Sequence, residues 1–294
     1  MPQPNWPLRH PDHPLYAPLT PLPELGHWPT QADFDALVVC ARGRGAALPG
    51  HLRFACGLEP EHYYEAHIAT TGEVPTRTQN WHDWFNALSW LAWPRAKTAL
   101  NARHMRAIAG GEIKRGPLRD AATLFDECGV IVVASDAGLL DALAGMRWRE
   151  LFIEKRECWG DSVAAFAFGH ALMEQGLKMH IGWCGKALPL IVDAGFFALP
   201  ADAQRAQLDA RLAELLADDS FLSTPRALSP LPLLGIPGWW DANRDPAFYD
   251  DTGYFRASRR EKSASVISSN TSVSGTISAS TAQAMSSSSL PSGR

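Results

Sequence analysis

Four of the chain's eleven tryptophans fall between Trp81 and Trp93, within the run NWHDWFNALSWLAWP. That much aromatic surface on so short a stretch has to be buried, which commits the segment to the centre of the fold. Asn80 followed by Asp83 reads as an N-cap with an acidic partner three residues on, so a helix is expected from Trp81 to about Trp93. Pro94 then suits the first position of a second helix over 94–109, which Gly110 and Gly111 stop.

The flanking sequence supports further elements. Thr30 caps a short helix whose apolar face carries Phe34, Leu37 and Val38. Residues 51–56 alternate as a strand does, while 63–69 suit either state. A helix fits 117–127, and the β-branched run 130–134 after Gly129 reads as a buried strand. Ser135 or Asp136 opens a helix to Ala144, and 147–158 is also expected to be helical. Asp161 is expected to cap a helix over 162–175, with strands or loops in 177–192 and an amphipathic helix over 201–216. The segment 229–255, rich in proline, glycine and aromatic residues, is expected to lie extended over the core. The sum is a mostly helical α+β single domain with a small β-sheet.

Both ends differ from this body, which spans residues 30–256. Residues 1–29 hold nine prolines, too dense for a helix or central strand, and should form an arm packed on the body. Residues 257–294 hold 14 serines and no aromatic residue, the composition of a disordered tail. That tail carries four basic residues and one acidic residue, so the other 256 residues hold a net charge of −7 against −4 for the whole chain. Such a body lacks the broad positive field that a nucleic-acid backbone requires, and nucleic acid is an unexpected partner. The five cysteines form no C-x-x-C pair, the first residues do not read as a signal peptide, and no run reaches the roughly 20 apolar residues of a membrane span. A reduced cytoplasmic protein is expected.

Four segments, TRTQNWHDWFNALSWLAWPRAKTALNARH (76–104), FDECGVIVV (125–133), GHALMEQGL (169–177) and LPLLGIPGWWDAN (231–243), together resemble the bacterial domain of unknown function 3025 family. The resemblance covers roughly residues 30–256. It implies a soluble bacterial protein and carries no activity over, so the chemistry has to come from the residues.

At about 100° per residue, His82, Asn86 and Ser89 form a polar stripe on the tryptophan-rich helix. Lys97, Asn101 and His104 form another on the next one. If the stripes converge, His82, Asp83, Asn86, Asn101 and His104 become candidate catalytic residues, with imidazole for proton transfer or metal binding and amides for orientation. Lys97 and the asparagines would then hold an anionic substrate. The alternative is that they are satisfied core residues stitching helices together. His82-Asp83 is also the doublet of HD-type phosphohydrolases, with His51, His62 or His67 and Asp126, Asp136 or Asp161 as further ligands. Asp126 and Glu127, at a helix-to-strand junction, and His170 with Glu174, four residues apart, are the candidate ligands of a divalent metal. No P-loop, dinucleotide fingerprint or nucleophile elbow is present. Two functions follow: a metal-assisted or His/carboxylate hydrolase, or a non-catalytic binding or scaffold protein.

Overall fold

The computed structural model describes residues 6, 8, 10–59, 63–111 and 115–258. The serine-rich tail from 259 onward and His62 lie outside the described residues. The chain up to Ala257 packs as one compact unit. Its helices are α1 (Gln31–Gly43), α2 (Tyr64–Thr71), α3 (Trp81–Ala92), α4 (Pro94–Ala109), α5 (Pro117–Cys128), α6 (Ala137–Ala144), α7 (His170–Gln175) and α8 (Ala201–Ala217). Its strands are β1 (Arg53–Cys56), β2 (Glu73–Thr76), β3 (Gly129–Ala134), β4 (Val163–Ala167), β5 (Cys184–Ile191) and β6 (Ser229–Pro232). The architecture is α+β and mostly helical, as the sequence suggested.

The four-stranded sheet runs β4-β3-β5-β6, with β3 and β5 parallel and the outer pairings antiparallel. All six residues of β3 are buried, and the two-residue pleat divides them between two cores. Val130, Val132 and Ala134 join the tryptophan-rich core, whereas Ile131 and Val133 join the core beneath α4 and α8. Both faces of the sheet are therefore covered, which is why this strand reads as a continuous apolar run. β1 and β2 form a separate parallel pair bridged by α2.

Local chemistry explains the long helices. Asn80 Oδ1 accepts from Asp83 N at 3.0 Å and starts α3. Trp93 offers α4 no side-chain cap, and the role passes to Asp209 of α8, which accepts from Arg95 N at 3.1 Å and Ala96 N at 2.9 Å. A carboxylate at a helix N-terminus is favoured by the exposed N–H groups and by the helix dipole. Buried Arg103 answers at the other end of α8, donating to the carbonyls of Leu216, Asp219, Phe221 and Leu222.

Two expectations are corrected. The stretch 162–175 is not one helix: β4 pairs antiparallel with β3, and only His170–Gln175 is helical. Its alanines favour a helix in isolation, but the edge position beside a fully apolar strand decides the outcome. Residues 147–158 are helical as expected, as a π turn over Glu150–Glu154 followed by a 3-10 turn over Arg156–Cys158. The proline-rich segment does form helix, a 3-10 turn at Pro14–Leu19, because Pro14 occupies an opening position where no N–H is needed. That turn and Trp6 lie against α3: Tyr16 stacks on Phe85 and Trp6 on Trp81, with ring centroids 5.4 and 5.0 Å apart.

Candidate metal centre

The first turn of α3, the last turn of α5 and the first turn of α7 meet at one place. The contact depends on Gly169. A Cβ there would lie 2.4 Å from Glu127 O and 2.6 Å from Cys128 N, distances no side chain tolerates. Glycine lets the start of α7 close onto the end of α5, and Phe168 N and Gly169 N both donate to Gly129 O. His170, the next residue, is thereby held beside Glu127.

His82 Nε2 and His170 Nε2 face each other at 3.1 Å. Glu127 Oε2 lies 4.0 Å from the first and 3.7 Å from the second. These separations define a triangle whose common centre is about 2.1 Å from every corner, the ordinary length of a zinc–nitrogen or zinc–carboxylate bond. The three ligand atoms all lie within 4.8 Å of one another and can hold a metal ion.

Each imidazole has a carboxylate on its far side. His82 Nδ1 donates to Glu174 Oε2 at 3.2 Å, which puts the His82 proton on Nδ1 and leaves the Nε2 lone pair facing the triangle. His170 Nδ1 faces Asp126, with Oδ2 at 3.8 Å. The His170 side chain is 5% exposed against 29% for His82 and 36% for Glu127, so the site has one buried wall and an open side. Burial pushes the His170 imidazole down to about 3 and keeps it neutral, with a lone pair to give. Burial also raises the Glu127 carboxyl, against the pull of His82.

The triangle borders a cavity of about 320 Å³. Lys97 extends along its wall and donates to Asp126 Oδ1 at 2.6 Å and Asn86 Oδ1 at 2.9 Å, over the Trp90 ring. Burial works to raise the Asp126 carboxyl, but the charge and hydrogen bond of Lys97 outweigh it and hold the group below its ordinary value. Asn86 Nδ2 donates onward to Tyr64 Oη at 2.7 Å. Asn101 Nδ2 donates to Glu65 O at 2.8 Å, and His104 stands opposite the Glu65 carboxylate.

The residues expected from sequence are therefore gathered in one region, with the parts distributed differently. Eight of the nine candidates, His82, Asp83, Asn86, Asn101, His104, Asp126, Glu127 and His170, line the cavity, and Glu174 stands behind His82. His82 keeps company with His170 and Glu127 rather than with Asp83. Asp83 accepts from Arg77 N, Nε and Nη2 at 2.6, 2.9 and 2.8 Å, clasping the turn before α3. His67 pairs with Glu73 at 3.3 Å and Asp136 caps α6, so the HD arrangement has no counterpart among the described residues. Lys97 is taken by Asp126 and Asn86, and Ser89 is fully buried against Phe168 O at 3.5 Å. Tyr64 and Glu65 were not anticipated, because eight residues of α2 leave too little periodicity to place a face.

The model of a family described as Protein of unknown function (DUF3025) matches residues 52–259. The chain belongs to this family. No curated protein and no solved structure matches it. The matched span contains His82, Glu127, His170 and every residue of the cavity lining, while the proline-rich arm precedes it. Among the described residues, no helix is long and apolar enough to cross a membrane.

Proposed function

We propose that the chain is a metal-dependent hydrolase, with His82, Glu127 and His170 as the ligands of one divalent ion. The observation that carries this reading is the triangle of three ligand atoms whose centre fits metal–ligand bonds, set at the edge of a cavity. Two imidazoles and one carboxylate form the ligand set of several hydrolytic zinc centres, in which further positions are left for water and substrate. A divalent ion there supplies Lewis acidity toward a substrate oxygen and lowers the pKa of water, and the net reaction needs no co-reactant besides water.

The chain's own residues divide the remaining work. Glu174 holds the His82 ring and its proton, as carboxylates behind metal-bound histidines do. Metal binding requires the His170 proton on Nδ1, where Asp126 faces it. Lys97 and Asn86 fix Asp126 in turn. The five cysteines are all free, which fits the reducing cytoplasmic compartment expected from the sequence.

Elemental analysis of purified protein is expected to find one divalent ion per chain, removed by EDTA. Glu174→Gln should weaken that ion about 10–100-fold in a competition titration while leaving the fold intact. A protein that takes up no stoichiometric zinc, manganese, iron or nickel leaves the hydrolase reading without support and favours a binding or scaffold role.

A further inference from the structure

The end of the cavity formed by α2 and α4 carries its own recognition signal. Five carboxylates line the cavity, from Glu59, Glu65, Asp83, Asp126 and Glu127, against two cations, Arg77 and Lys97. Both cations are spent: Arg77 is bound two-fold by Asp83, and Lys97 lies 2.6 Å from Asp126. Glu59, Glu65 and Glu127 remain without a Lys or Arg partner among the described residues. Once a divalent ion is held by Glu127 and the two histidines, the lining still carries one net negative charge, and its uncompensated carboxylates are Glu59 and Glu65. The expectation that Lys97 holds an anionic substrate is thereby reversed.

The second signal is an unmet hydrogen-bonding need. His104 is 4% exposed, and its Nδ1 has no partner although it lines the cavity. Thr123 Oγ1, in the same lining, is likewise buried without a partner. Buried polar atoms of this kind are uncommon and need an explanation. His104 Nδ1 stands 3.9 Å from Glu65 Oε1, too far for a direct bond. One ammonium nitrogen can sit about 2.9 Å from both atoms and bond each of them. Arg119, whose charge also reaches His104, is engaged with the ring and hydroxyl of Tyr63 outside the lining.

We propose that the cavity selects a substrate with an ammonium-bearing end, seated between Glu65 and His104, while the bond to be hydrolysed lies over the His82–Glu127–His170 triangle. This names the substrate class of the proposed hydrolase and rests on that reading for the second half of the statement. Burial lowers the His104 imidazole and keeps it neutral, so the Glu65 carboxylate faces the cavity uncompensated. Leu58, Ile68 and Leu100 supply apolar walls for the body of such a ligand.

The test uses three probes of one shape, benzylammonium, benzyl alcohol and benzoate, titrated calorimetrically into the full chain after EDTA treatment. Benzylammonium is expected to bind at least about tenfold more tightly than benzyl alcohol, with no detectable benzoate binding. Glu65→Gln should erase that preference with an unchanged melting temperature, and Glu65→Asp should retain part of it. Benzoate binding as tightly as benzylammonium in the wild type overturns the inference, as does a folded Glu65→Gln protein that keeps the preference. Because no metal is present, the outcome is independent of the hydrolase reading. An ammonium preference in a chain that never binds metal leaves the pocket assignment standing and removes the hydrolase, and metal binding without the preference does the reverse.

Discussion

In His170→Ala, added divalent metal no longer raises the melting temperature. The wild-type protein at a free metal concentration 100 times its Kd gains about 2.7 kcal/mol, because the ion binds the folded chain and not the unfolded one. For a domain of this size each kcal/mol is worth about 2–4 °C, so the wild-type shift is about 5–10 °C. His170 contributes the most buried corner of the triangle, at 3.1 Å from His82 Nε2, and its loss leaves one imidazole and one carboxylate. The metal-free variant is a fair comparison, since the substitution removes a buried imidazole with an unpartnered Nδ1 and not a load of hydrogen bonds. His82→Ala, at a more exposed corner, should lose the same metal-induced shift at lower cost to the fold. A full shift retained in both variants contradicts the ligand assignment.

The second large effect belongs to a residue with no side chain. Gly169→Ala places a methyl group into backbone, at 2.4 Å from Glu127 O and 2.6 Å from Cys128 N, and neither can rotate away. The start of α7 must therefore move off the end of α5, at a cost of about 1–3 kcal/mol. The same movement opens the 3.7 Å separation between His170 Nε2 and Glu127 Oε2, so metal affinity should fall by at least about tenfold. Gly176→Ala is the control. Its Cβ would meet the Leu15 side chain at 2.3 Å and Tyr16 Oη at 3.0 Å, away from the triangle. It should lower the melting temperature and leave metal affinity alone. Calorimetric titration of zinc into the two variants separates the cases, and equal affinities would show that the α5–α7 approach does not build the site.

Elements with strong local signals were legible from the residues alone. Asn80 with Asp83, Pro94, and the run Val130–Ala134 each carry their own stop, start or burial rule, and the structure follows them. β4 was not legible, because Val163–Ala167 has no strand signal of its own and is made a strand by its pairing with β3. The candidate site shows the same limit. His170 and Glu174, at helical spacing, suggested two ligands of one ion, yet the His82 imidazole stands between them, engaging His170 through Nε2 and Glu174 through Nδ1. Asp126 and Glu127 are adjacent in sequence but about 100° apart around α5, so one meets Lys97 and the Nδ1 side of His170, and the other the Nε2 atoms of both histidines. His82 and His170 are 88 residues apart, and no spacing rule reaches across that distance. Residue type identified the region, and tertiary packing assigned the partners.

The proposed ion belongs at the centre of His82 Nε2, Glu127 Oε2 and His170 Nε2. A crystal grown with zinc, measured on both sides of the zinc absorption edge, locates that ion without assuming any reaction. An anomalous difference peak about 2.1 Å from all three atoms is the expected result. Zinc found elsewhere on the chain, with His82 and His170 still bonded directly to each other, would contradict it.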